Sequence, residues 1–194
     1  DLNLVALYTC PWPGQGFYFN KAVNSSKDTQ GIKFRSYNSA TATFAEELGM
    51  VPVQVEAAEL SQALATGVAE SFISSGSTGY DRKVWEHLSH YYKVNAWLPR
   101  NYVMVNKGVW EGLNSDMKGA VQKAADETGA ACSAKSAELA SWYFEQLEAN
   151  GMAVEDASPE FLAELQAIGA KMTADWLASA GADGQAILDA YKSN

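Results

Sequence analysis

Short apolar runs alternate with helical periodicity between residues 32 and 73, the most regular stretch of the chain. Residues 32–36 (Ile-Lys-Phe-Arg-Ser) predict a strand. Residues 39–48 predict a helix that turns Thr41, Phe44, Ala45 and Leu48 to one side and stops at Gly49. Residues 51–55 predict a second strand, and residues 57–66 a second helix with Leu60, Ala63 and Leu64 facing inward. A third strand follows over residues 68–73. Strands separated by helices imply parallel pairing with right-handed crossovers, so the expected class is α/β with a mostly parallel sheet.

Outside this run the signals are looser. Residues 2–8 predict a strand. Pro11, Pro13, Gly14 and Gly16 then break any regular element, with Trp12, Phe17, Tyr18 and Phe19 threaded among them. Such a loop is either a packed crossover or one wall of a pocket. Residues 81–91 read as a helix and residues 102–106 as a strand. Asn114 or Ser115 can cap a long helix running to about residue 149, with Met117, Val121, Ala124, Thr128, Cys132, Leu139, Tyr143 and Leu147 inward. It would span roughly 50 Å at 1.5 Å per residue, with Gly129 as a potential kink. Ser158-Pro159-Glu160 is a helix start with Pro at its first position, and a last helix follows residues 181–184.

Charge narrows the functions. Fourteen Lys and Arg face 23 Asp and Glu, for a net charge of −9. That balance opposes binding to nucleic acid or to anionic lipid, both of which require clustered cations. No apolar run approaches the roughly 20 residues of a membrane helix, and the opening residues show no signal-peptide pattern. No cofactor-binding motif is present. Cys10 and Cys132 are compatible with one bridge in an oxidising compartment or with two buried thiols.

Ligands of open α/β sheets bind beyond the carboxyl ends of the strands. Two of those ends are polar here: Arg35-Ser36-Tyr37-Asn38 and Ser71-Phe72-Ile73-Ser74-Ser75. Arg35 is suited to bidentate capture of a carboxylate, and the alternative is pairing with a structural Asp or Glu. The hydroxyl-rich loop 74–79 offers a hydrolase-like alternative. It lacks, however, the glycine that a nucleophile elbow places two residues before the candidate Ser77. His87 and His90 could share a helix face but have no third ligand at metal-site spacing.

Asn20-Lys21-Ala22-Val23-Asn24-Ser25, followed by Gly31-Ile32-Lys33-Phe34-Arg35, resembles the solute-binding proteins of tripartite ATP-independent periplasmic (TRAP) transporters. Further matches are Leu48-Gly49 with Pro52, Glu59 with Ala63-Leu64-Ala65-Thr66-Gly67-Val68, Val105-Asn106-Lys107 with Trp110 and Leu113, and Asp175-Trp176-Leu177. The resemblance implies a non-enzymatic periplasmic protein with a periplasmic-binding-protein type II-like lobe. Such a protein captures an organic acid in an interlobe cleft and delivers it to the membrane permease subunits. It further implies that residues 11–100 and 150–194 form the second lobe. Residues 1–10 and 101–149 would supply hinge strands, a long bridging helix and a remnant of the first lobe. Most of that first lobe is expected to be missing from this chain, which leaves room for self-association. By position, Arg35 falls on the family's carboxylate clamp and Asn38 on a pocket position. Ser74 stands where many members carry Asn, and Gln15 stands near a second arginine of sialic-acid binders. The loss of that arginine argues against sialic acid. The nearby aromatics, with Phe72 and Trp97 among the expected contacts, lean toward a flatter, less polar acid.

Overall fold

A computed structural model describes residues 2–193. In chain order it contains β1 (Leu4–Pro11), β2 (Gln15–Phe19), β3 (Lys33–Ser36), α1 (Ser39–Glu47), β4 (Val51–Gln54), α2 (Leu60–Ala65), β5 (Ser71–Ser74) and α3 (Gly76–Asp81). It continues through β6 (His90–Trp97), β7 (Arg100–Asn106), α4 (Lys107–Gly112), α5 (Ser115–Ala149), β8 (Ala153–Asp156) and α6 (Pro159–Lys192). Six strands form one sheet in the order β4-β3-β5-β2-β6-β8, and β1 pairs with β7 in a separate ribbon.

The α/β expectation holds where the periodicity is strongest. β3 pairs in parallel with both β4 and β5, and α1 and α2 make the crossovers. Asn38 caps α1 in a reciprocal capping box with Thr41, and Gly49 takes the left-handed conformation just past the helix end (φ 72°). The third strand starts later than expected, at Ser71, and Val68 is exposed.

Two readings of the sequence are corrected. Residues 15–19 are not loop: β2 sits inside the sheet, antiparallel to β5 and β6, and is buried along its whole length. A strand covered on both faces loses the alternation that identifies a half-buried one, and its flanking prolines and glycines disguised it further. Phe17 and Phe19 enter one core cluster and Tyr18 the other. Burying each Phe contributes about 1.5–3 kcal/mol. These aromatics are core rather than pocket wall.

Residues 81–91 are not one helix either. α3 ends at Asp81, Lys83 turns left-handed (φ 49°), a 3-10 turn spans Val84–Glu86, and β6 begins at His90. Tyr91 and Tyr92, both buried, point to opposite faces of the sheet and hold that segment extended.

α1 and α6 cover one face of the sheet around Phe17, Phe34, Phe44 and Phe161. Glu164 of α6 accepts from Ser26 N (2.6 Å) and Ser26 Oγ (2.9 Å), and Lys171 pairs with Glu47 of α1. α6 breaks at Gly181 (φ 61°, ψ −143°), where the final helix was expected to begin. The other face packs on α2 and on the end of α5 through Leu60, Leu64 and Leu147.

α5 runs unbroken from Ser115 to Ala149, capped by Asn114, and spans about 52 Å. Gly129 is not a kink. A Cβ there would stand 3.0 Å from Tyr8 Cβ, so the glycine lets α5 press against β1. A disulfide between Cys10 and Cys132 fastens the same crossing, which settles the open question about the thiols. Of the expected inward stripe, Leu147 is buried, whereas Met117 and Val121 are exposed. Tyr102 and Met104 of β7 and Val109 of α4 add to this uncovered apolar surface. Among the described residues, no helix is long and apolar enough to cross a membrane.

Candidate functional site

Five of the six strands of the main sheet point the same way, and β2 opposes them. One edge therefore gathers the carboxyl ends of β3, β4, β5 and β6 together with the start of β2. Arg35, Tyr37, Ser74, Trp97 and Gln15 all come to this edge from different parts of the chain. Register places Gln15 opposite Trp97, and Gly16 opposite Ser74.

Arg35 is 5% exposed. Its Nε donates to the Val55 carbonyl at 2.8 Å, and the guanidinium lies over the Tyr37 ring, 5.2 Å from its centre. Among the described residues it forms no ion pair; the salt bridges lie elsewhere. The structural-carboxylate alternative is therefore not what the fold provides. The exposed Glu56 and the Tyr37 hydroxyl favour the charged form only weakly against burial, which pulls the Arg35 pKa below its ordinary value. A guanidinium nevertheless stays protonated in proteins. A buried cation without a counter-ion costs several kcal/mol, and the cheapest remedy is an anion from outside the chain.

Tyr37 was not singled out in the sequence, although its place two residues beyond Arg35 at a strand end was a usable signal. Its hydroxyl donates to Gln15 Oε1 at 2.8 Å. Burial raises its pKa, while the Gln15 hydrogen bond and the Arg35 charge pull the other way.

The remaining expected residues divide. Ser74 Oγ donates to Thr78 Oγ1 at 2.7 Å and is buried. Trp97 is half-buried, stands edge-on to Phe44 at 5.0 Å, and lines a cavity of about 640 Å³ with Ala40, Leu165 and Met172. Asn38 uses its side-chain carbonyl to cap α1, accepting from Thr41 N at 2.8 Å. Phe72 lies wholly inside, stacked on Tyr18 at 4.3 Å, so packing is what its side chain does.

The hydroxyl-rich loop closes on itself. Ser75 and Ser77 share a hydrogen bond of 2.7 Å, and the Ser75 carbonyl accepts from Tyr18. Among the described residues, the hydrogen-bonding side-chain partners of these hydroxyls are one another. His90 instead contacts Ser89, and His87 is exposed after the 3-10 turn rather than sharing a helix face with it. No cluster of His, Cys, Asp or Glu able to hold a metal exists among the described residues.

Residues 14–179 match the profile of a family described as bacterial extracellular solute-binding protein, family 7. The chain belongs to that family. Solved structures superpose closely on it. One is a marine metagenome TRAP solute-binding protein from an unidentified microbe, specific for pyroglutamate and crystallised with co-purified pyroglutamate. It is 84% identical with a TM-score of 0.96, covering 100% of this chain and 64% of its own. DctP6 of Bordetella pertussis, an extracytoplasmic solute receptor binding pyroglutamic acid, is 43% identical with a TM-score of 0.96, covering 99% of this chain and 64% of its own. DctP7 of the same organism, described in the same terms, is 37% identical with a TM-score of 0.94, covering 98% and 63%. The chain thus spans a little under two thirds of the length of these relatives.

Proposed function

We propose that this chain is the larger part of an extracytoplasmic TRAP solute-binding protein whose ligand is pyroglutamate. Such a protein captures the acid at the carboxyl edge of the six-stranded sheet and hands it, unchanged, to a TRAP permease. The observation that carries this reading is Arg35, a buried guanidinium without a carboxylate partner, in a chain 84% identical to a protein that co-purified with pyroglutamate. The ligand carboxylate supplies the missing counter-ion, and Arg35 gives it charge and orientation. Gln15, Ser74 and Trp97 contribute the remaining contacts, with Asn38 at the rim.

In this reading residues 11–100 and 150–194 are one lobe, and residues 1–10 and 101–149 are hinge and bridge. The uncovered apolar surface of β7, α4 and the first turns of α5 then faces the part of the protein that the longer relatives possess, and cleft closure around the ligand excludes water. The Cys10–Cys132 bridge accords with an oxidising compartment outside the cytoplasm.

Calorimetric titration of the full-length protein tests the assignment. One-to-one binding of pyroglutamate, recovered chemically unchanged, is expected. Absence of binding, with a clear response to a different carboxylate, overturns the choice of ligand.

A further inference from the structure

Tyr37 touches both polar groups that define the sheet edge: its ring carries the Arg35 guanidinium, and its hydroxyl donates to Gln15 Oε1. A glutamine amide has one acceptor and two donors, and nothing in its shape distinguishes its two orientations. In the observed arrangement the Tyr37 hydroxyl gives its proton to Oε1. With Oε1 engaged, Nε2 must point away from Tyr37, and no described residue accepts from it. The Nη nitrogens of Arg35 likewise have no protein partner, yet they are not sealed from solvent. The edge therefore presents oriented donors, one of them fully charged. Among the described side chains, Ser74 Oγ is an acceptor here, since its own proton goes to Thr78.

We infer that Tyr37 is a positioning residue that locks Gln15 with its amide N–H groups toward the ligand, so that the site selects carboxylates bearing a neighbouring carbonyl and no free α-ammonium group. The inference rests on the carboxylate-binding reading of Arg35. An α-amino acid held by its carboxylate would bring an ammonium, with three protons to place (two in proline), against a guanidinium and an amide donor. Among the described residues no carboxylate pairs with these groups to compensate: Glu56 is exposed and pairs with neither. A lactam acid has the complementary pattern: its ring nitrogen is uncharged with one N–H for an acceptor, and its carbonyl takes a donor. Discrimination of this kind uses repulsion as well as attraction.

The test compares three ligands in the full-length protein: pyroglutamate, proline, and cyclopentanecarboxylate, which keeps the ring and carboxylate without the lactam. Tyr37→Phe removes only the hydroxyl and frees the Gln15 amide to turn over. It is expected to weaken pyroglutamate about tenfold, to leave cyclopentanecarboxylate within about twofold, and to leave the melting temperature of the ligand-free protein nearly unchanged. Gln15→Glu, which replaces the donor by an acceptor of the same shape, is expected to lose pyroglutamate and gain proline. Equal losses for pyroglutamate and cyclopentanecarboxylate in Tyr37→Phe, or no loss for either, overturn the positioning role while wild-type binding of pyroglutamate still stands. If the wild type itself fails to bind pyroglutamate, the reading beneath the inference fails and takes the inference with it.

Discussion

Arg35 Nε donates to the Val55 carbonyl at 2.8 Å, so the peptide that follows β4 holds the guanidinium by its inner side and leaves both Nη nitrogens for something else. Truncating one member of a desolvated, hydrogen-bonded charge pair costs about 2–5 kcal/mol, or roughly 30- to several-thousand-fold in affinity. Arg35→Ala in the full-length protein is expected to lose pyroglutamate affinity in that range. Arg35→Lys should also bind poorly, because an ammonium cannot make two parallel N–H bonds. The melting temperature of the ligand-free protein should stay within about 3 °C, since the lost Val55 hydrogen bond is offset by removal of a buried, unpaired cation. Calorimetry beside thermal melting reads both quantities. A large fall in melting temperature with unchanged affinity would make Arg35 structural.

The part of this site nearest Arg35 was legible because β3, α1, β4, α2 and β5 alternate within one short run, and the carboxyl edge of such a unit follows from its topology. The other half was hidden by burial. β2 and the first half of β6 are covered on both faces, so Phe17, Tyr18, Tyr91 and Tyr92 show no polar partners in the sequence to mark an inside and an outside. Missing those strands left the choice between packed crossover and pocket wall open for the aromatics of residues 12–19, and it hid the Tyr18 ring on which Phe72 stacks. Tyr37 escaped notice because its role depends on Gln15, twenty-two positions away, and only the antiparallel insertion of β2 brings the two together.

Gly16 is the second residue of that inserted strand. A Cβ at this position would collide with the Tyr92 carbonyl and the ring of Tyr91, and neither has room to retreat inside a buried sheet. Overpacking in a tight core costs about 1–3 kcal/mol and occasionally more. Gly16→Ala is expected to reach the upper part of that range, measured as a lower urea midpoint with an unchanged slope. An alanine variant as stable as the parent would mean that β2 and β6 can separate without cost.

Ser71 predicts a change of the opposite sign. It is fully buried at the start of β5, and its hydroxyl finds no partner. A buried, unsatisfied hydroxyl carries a desolvation penalty of about 1–3 kcal/mol. Ser71→Ala removes the oxygen and little volume, so the variant is expected to match or exceed the parent by about 1 kcal/mol in denaturant unfolding. Destabilisation by more than about 1 kcal/mol would show that the hydroxyl is satisfied in solution.

The Cys10–Cys132 bridge joins the end of β1 to the middle of α5 across 122 positions of sequence, with the Cα atoms 5.6 Å apart. Before the stretch where Trp142, Tyr143 and Phe144 meet Tyr80 and Tyr91, α5 has few other anchors: of its residues only Ala125 and Leu147 are buried, and Gly129 holds it close to Tyr8. Loss of a disulfide that closes so long a loop typically costs about 2–5 kcal/mol. Cys10→Ser combined with Cys132→Ser is therefore expected to lower unfolding free energy within that range, and reductant added to the parent should reproduce the effect. The loss should also be local. Amide exchange is expected to rise most in α5 on either side of Cys132, and least in the last turns, where Leu147 sits in the core with Tyr91 and Met152. Exchange mass spectrometry of the paired-serine variant beside the parent separates the possibilities. Uniform loosening of the sheet and α5 together would mean that the bridge acts through the unfolded chain alone, whereas a rise confined to α5 identifies it as the clamp that keeps the long helix on the β1–β7 ribbon.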